Sequence, residues 1–138
     1  WGGLVGQRMP ETVFMTPSVP HTWLFPRMAA SVHHGGAGTT AASLRAGVPS
    51  ILIPFFGDQP FWGRRVAELG VGPLPIPRAR LTAARLAQAL RLAVGEQGMR
   101  RRASELGEAI RNEDGIGNAV RVIESRGGRP MPASLRRR

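Results

Sequence analysis

The chain has 138 residues, 42% of them hydrophobic and 20% charged; these are values of a folded domain that buries roughly two-thirds of its unfolded surface. No apolar run reaches the roughly 20 residues of a membrane-spanning helix, and the absence of cysteine excludes a disulfide framework, a thiolate-held zinc and thiol catalysis. The net charge of +10 is uneven, since residues 1–60 carry +1, residues 61–138 carry +9, and every basic residue is Arg.

Arginine suits phosphate recognition, yet most of the excess falls on helical faces and in a ragged end. It reads as solvated surface, with attraction to anions or a membrane surface as the lesser alternative. Trp1–Pro10 has neither an initiator Met nor a signal-peptide pattern. The chain is therefore expected to open inside a longer protein, in a cytoplasmic setting.

In chain order, Thr12–Met15 is a short β-type run, followed by a proline-punctuated stretch to Pro26. Ala30–His33 reads as a second buried strand, and the cluster Gly35-Gly36-Ala37-Gly38 follows at once. Thr39–Ala46 has helix-forming composition, and Gly47 before Val48-Pro49 is a natural stop. Ser50–Pro54 is a continuous apolar strand of the kind buried on both faces of a parallel sheet. A helix over Pro60–Leu69 ends at Gly70, and Val71–Leu74 suggests another short strand. This alternation implies βαβ units with right-handed crossovers.

Beyond Pro77 the pattern is helical alone. Leu81, Leu86, Leu90 and Val94 recur at helical spacing behind an N-cap at Thr82. Two further helices are expected over Met99–Asn112 and Ile116–Ser125, with Leu106 and Ile110, then Ala119, Val122 and Ile123, as packing faces. The organisation is one α/β domain over residues 1–126 and a flexible basic tail over residues 127–138.

The chemically informative stretch is Val32-His33-His34-Gly35-Gly36-Ala37-Gly38-Thr39-Thr40. A strand delivers two histidines to its carboxyl end, and a glycine turn then opens a helix. Free amides at a helix start carry partial positive charge and suit a phosphate or diphosphate, with the Thr39 and Thr40 hydroxyls and His34 as further donors. The alternative is a turn needed only for chain reversal. The cluster is not the GxGxxG fingerprint of dinucleotide folds.

Phe55–Pro60 follows the central strand at the sheet edge where α/β proteins bind ligands. Asp58 and Gln59 there match the vicinal hydroxyls of a sugar, although Asp58 could equally cap the next helix. Adjacent histidines on a strand point to opposite faces, and His21 lies in a loop, so a metal site is not expected. A triad of Ser43, His34 and Asp58 lacks the G-x-S-x-G elbow.

Val19-Pro20-His21, then VHHGGAGTTAASLRAGVPSILIPFFGDQPFW in this order, closely resembles the donor-binding signature of glycosyltransferases with the two-Rossmann GT-B fold. The sterol glucosyltransferase-like subgroup is most similar, with antibiotic glycosyltransferases nearby, and the resemblance covers Trp1–Glu124. It implies a Rossmann-like parallel sheet flanked by helices, the C-terminal donor half of the fold, truncated at its N-terminus. It further implies diphosphate binding by His34, Gly36, Ala37, Gly38 and Thr39, hexose binding by Asp58 and Gln59, and uridine binding around Ser18 and Val19. The plant form's stacking Trp is Ser18 here and its ribose-binding Glu is Ala42.

The implied reaction is inverting transfer of a hexose, glucose by preference, from a UDP-sugar substrate to a sterol-like or other lipophilic acceptor. No cofactor or metal is implied, and no catalytic residue lies in this chain, since the general base and acceptor pocket belong to an N-terminal domain of the same protein. Peripheral membrane contact is compatible and nucleic acid is not an expected partner. The rivals are a dTDP-deoxysugar transferase acting on an antibiotic aglycone and a basic nucleotide- or RNA-binding module.

Overall fold

The computed structural model describes residues 10–127, and the centre of the fold is the apolar run that begins at Ser50. Ser50–Leu52 forms β2, which pairs in parallel with β1 (Ser31–His33), Ser31 facing Ser50 and His33 facing Leu52. A parallel pair needs a crossover, and α2 (Ala37–Ala46) supplies it. Before β1 come the single turn α1 (His21–Leu24) and a 3₁₀ turn at Phe25–Arg27. After β2 come α3 (Gln59–Glu68), a 3₁₀ turn at Arg78–Arg80, α4 (Ala83–Gly95), α5 (Gln97–Asn112) and α6 (Gly115–Gly127).

Strand alternation sends β2 into two cores. Ile51 packs with Ile76, Ala89, Ala93 and Met99 on one face, and Leu52 packs with Val66, Val71 and Ala103 on the other. Each of the Val, Leu, Ile and Met side chains among them, withdrawn from water, stabilises the fold by roughly 1.5–3 kcal/mol. β1 is less covered than expected. Ser31 is buried under α2, but Val32, on the opposite face, is 41% exposed.

Helix ends follow their local chemistry. The Thr82 hydroxyl accepts from the Arg85 amide at 3.2 Å, and the Glu96 carboxylate caps α5 through the Met99 amide at 2.7 Å. Gly47 takes φ +75° and donates to the Leu44 carbonyl at 3.0 Å, closing α2.

Several expectations are corrected. Thr12–Met15 forms no strand, because nothing among the described residues pairs with it; its start is a turn in which the Val13 amide donates to Pro10. Val71–Leu74 is irregular, although Val71 accepts from Ser50 and Ile76 donates to Leu52 beside β2. Pro73 and Pro75 lack the amides that a ladder between those two bonds would need.

The packing stripes also shift. In α4 the buried residues are Ala89 and Ala93, with Leu86 half-buried, while Leu81, Leu90 and Val94 stay exposed. In α5 they are Met99, Ala103 and Gly107. Small residues win where backbones approach closely, and larger ones flank the contact. The apolar residues of α6 are not packed within the described chain, for Ile116, Val122 and Ile123 are all exposed. The expected tail lies outside the described residues, apart from Gly127 at the end of α6.

The tightest of these approaches joins α2 to α5. A Cβ on Gly107 would stand 2.6 Å from Gly47 Cα and 2.9 Å from the Leu44 carbonyl oxygen, both immobile backbone. Gly107→Ala should therefore destabilise by about 1–3 kcal/mol despite alanine's better helix propensity. Gly95→Ala, which meets nothing within 4 Å, should stay within about 0.5 kcal/mol of the parent. Denaturant midpoints of the two variants check this.

Candidate donor-binding site

Gly35 is the hinge between strand and helix. Its φ of +91° disfavours any other residue, and a Cβ there would lie 2.9 Å from Leu52 Cδ2 and 3.3 Å from the Gln59 carbonyl oxygen. The glycine turn is thus drawn against the start of α3, and the two stretches singled out by sequence meet at one edge of the sheet. His33 stabilises the turn, as its Nδ1 accepts from the Gly35 amide at 3.1 Å.

α2 begins two residues earlier than expected, at Ala37, with Gly36, which has no side chain to cap the helix, at the N-cap. The amides of Ala37, Gly38 and Thr39 precede the first intrahelical bond, which runs from the Thr40 amide to the Gly36 carbonyl at 2.9 Å. They are the unpaired donors of a helix start. His34 is exposed and its ring lies against the N-cap, its Nε2 lying 2.6 Å from where a Gly36 Cβ would be. Only glycine at 36 leaves room for this ring.

The two threonines part company. Thr40 is buried and its hydroxyl donates to the Gly36 carbonyl at 3.0 Å, so it is spent inside the helix rather than offered to a ligand. Thr39 is half-buried and its hydroxyl has no hydrogen-bond partner among the described residues.

On the neighbouring loop, Gly57 takes φ +66° and turns the chain into α3. Asp58 occupies the N-cap position but does not cap. Its backbone is helical, at φ −83° and ψ −7°, and its Oδ2 accepts from the Trp62 indole Nε1 at 2.8 Å. Gln59 is buried; its Oε1 accepts from the Phe55 amide at 2.8 Å and the Phe56 amide at 3.3 Å. Two amide donors on one atom fix the orientation of the carboxamide. Only its Nε2 remains to face a ligand. Trp62, which the sequence reading passed over, is the residue Asp58 leans on; its signal was the one-turn spacing.

Ser18 is exposed and Val19 half-buried in the segment leading into α1, which packs along α2. Ala42 is half-buried on α2. Ser43 is fully buried and bonded to the hydroxyls of Ser31 and Ser50, both at 2.7 Å. It therefore cannot join a triad with His34. His21 stacks on Phe25 with ring centroids 4.5 Å apart, and among the described residues no three His, Asp or Glu side chains gather to hold a metal.

Much of the basic excess has local work. Arg111 donates to the Arg45 carbonyl, Arg45 to that of Ile110, and Arg102 to that of Gly70 at 2.9 Å. Arg65, Arg101 and Arg102 also pair with Glu68, Glu105 and Glu96. The described grooves lie away from the glycine turn. One, of about 420 Å³, runs between Pro73–Pro77 and α4, and another lies beside Pro49, Arg100 and Arg101. No helix of the described residues is long and apolar enough to cross a membrane.

Burial, reinforced by the nearby charges of His34 and His21, pushes the His33 pKa from 6.5 down to about 4. Its Nε2 carries the proton of the neutral ring and is buried without a partner among the described residues. Between those two values the unfolded chain binds the extra proton, so stability falls as pH falls through the window from 6.5 to about 4 and is flat above it with respect to this group. His33→Asn keeps an acceptor for the Gly35 amide and removes the titration. The drop in Tm on acidification from about pH 7.5 to about pH 5 should be smaller in that variant than in the parent.

The profile of the erythromycin biosynthesis protein CIII-like C-terminal domain matches residues 4–126. Sterol 3-beta-glucosyltransferase UGT80B1 of Arabidopsis thaliana is 48% identical over 122 residues, covering 87% of this chain and 20% of that protein. O-mycaminosyltylonolide 6-deoxyallosyltransferase of Streptomyces fradiae is 47% identical over 116 residues, covering 84% of this chain and 28% of that one. Among solved structures, the glycosyltransferase VinC in complex with dTDP superposes with a TM-score of 0.75 at 32% identity, over 86% of this chain and 31% of that one. The chain thus spans between about a fifth and a third of these three relatives. It belongs to the erythromycin biosynthesis protein CIII-like C-terminal domain family and has the α/β fold of the C-terminal half of GT-B glycosyltransferases.

Proposed function

We propose that this domain binds the nucleotide-sugar donor of an inverting glycosyltransferase, one that moves a hexose from UDP to a hydroxyl of a sterol-like or other lipophilic acceptor. The observation that carries the reading is the convergence at Gly35. An uncapped helix start with the His34 ring against its N-cap stands against a loop that offers one carboxylate oxygen and one carboxamide.

The Ala37, Gly38 and Thr39 amides and the His34 ring donate to the diphosphate, with the Thr39 hydroxyl beside them. Asp58 and Gln59 hold the hexose, and Ser18–Val19 lie toward the uridine. An acceptor hydroxyl attacks the anomeric carbon from the face opposite the diphosphate, and the bond to the leaving oxygen breaks with its electron pair going to phosphate. The hydroxyl proton passes to a base outside this chain. The amides and His34 lower the barrier by meeting charge as it develops on the diphosphate, without a metal ion.

The dTDP-deoxysugar reading draws support from the 47% identity with the 6-deoxyallosyltransferase and from the dTDP held by VinC. Calorimetric titration with UDP, dTDP and UDP-glucose separates the two, since the leading reading requires UDP and UDP-glucose to bind more tightly than dTDP.

Two pairs of variants test the site. His34→Ala should weaken UDP binding by about 1.5–3 kcal/mol, roughly 10- to 100-fold. Gly36→Ala should act in the same direction with little loss of stability, because φ −60° suits alanine while the new methyl displaces the ring. Asp58→Asn and Gln59→Glu each reverse the polarity of one atom facing the sugar. Both should weaken UDP-glucose by about 0.5–3 kcal/mol and leave UDP nearly unchanged. Equal losses for the two ligands would return Asp58 and Gln59 to a purely architectural role.

A further inference from the structure

A carboxylate on an exposed loop ordinarily samples several rotamers and can offer either oxygen. At Asp58 the Trp62 indole removes that freedom, donating to Oδ2 from one helical turn away at 2.8 Å. The indole is itself held in place. It packs against the cluster of Leu52, Val66, Val71 and Ala103, and Phe61 meets it edge-on at 5.2 Å. The bond also takes the place of the usual cap, since the helical backbone of Asp58 makes no side-chain bond to the α3 amides.

We propose that Trp62 is a positioning residue for donor-sugar selection. Its N–H fixes the Asp58 carboxylate so that Oδ1 alone faces the hexose and accepts one hydroxyl hydrogen. This rests on the reading that Asp58 contacts the sugar. The loop is then a matched pair, with one acceptor at Asp58 Oδ1 and one donor at Gln59 Nε2, because Asp58 Oδ2 and Gln59 Oε1 are already bonded. The substrate class it selects is a hexose with both vicinal hydroxyls present. A sugar deoxygenated opposite Asp58 leaves the oriented oxygen without a partner.

Calorimetry of the whole chain with UDP and UDP-glucose reads the Trp62→Phe variant, which keeps a ring on the cluster and lacks the donor. UDP-glucose affinity should fall about 3- to 10-fold with UDP affinity unchanged. In an Asp58→Ala background the same substitution should cost nothing further, as expected of a residue acting through Asp58. If Asp58→Ala weakens UDP-glucose but Trp62→Phe does not, or if Trp62→Phe weakens both ligands equally, the positioning role is overturned and the sugar reading stands. If UDP-glucose does not bind, or Asp58→Ala leaves its affinity untouched, the sugar reading fails and the role of Trp62 with it. Should Trp62→Phe not fold, the Trp62 indole N–H resonance of the unaltered chain decides. It should move on saturation with UDP-glucose and hold still with UDP, and a resonance indifferent to the sugar overturns the proposal.

Discussion

The arrangement depends on one close approach, at Gly35. The residue sits at φ +91° with Leu52 on one side and the Gln59 carbonyl on the other, and a side chain there would both strain the backbone and crowd these two neighbours. The approach does two things at once. It lets β1 hand directly into α2, so that the free amides of the helix start emerge at the sheet edge. It also brings the second loop alongside, so that groups 20 or more positions apart in sequence share one surface.

The parts legible in sequence were those governed by local rules. Thr82 as a cap, Gly47 as a stop and a buried strand beginning at Ser50, shorter by two residues than the expected Ser50–Pro54, are each decided by their own residue and its neighbours. The order of glycine turn, apolar strand and Asp-Gln loop implied that the two stretches lie at one edge of the sheet, and they do. What escaped was decided by partners distant in sequence or by competition between nearby groups. Val71–Leu74 had the composition of a strand but lacked amides at Pro73 and Pro75. Thr40 looked available until its own helix took its hydroxyl. Asp58 had the position of a cap and the backbone angles of a helix, and Gln59 Oε1 turned back to its own loop. None of these outcomes is visible in residue type alone.

The charge tells a related story. A surplus of arginine suggests an external anion, yet several guanidinium groups reach backbone carbonyls across helix boundaries. Arg45 and Arg111 tie the end of α2 to the end of α5, and Arg102 ties α5 to the turn after α3. Carbonyls at helix ends carry partial negative charge, and a cation beside them is stabilising. These arginines act as struts between elements.

Beneath the site, three serine hydroxyls form one buried cluster. Ser43 lies 2.7 Å from both Ser31 and Ser50, and the longer contacts from Ser31 to Ser50 and from Ser50 to the Val48 carbonyl are both 3.4 Å. Sliding β1 by one residue against β2 would bring Val32 into the place of Ser31 and take away one partner of the buried Ser43 hydroxyl, at a cost of about 1–3 kcal/mol for a polar group left unpaired. Apolar contacts between two three-residue strands discriminate poorly among registers. The hydroxyl cluster acts as a key that turns in one position only, and the glycine turn that follows β1 inherits that alignment.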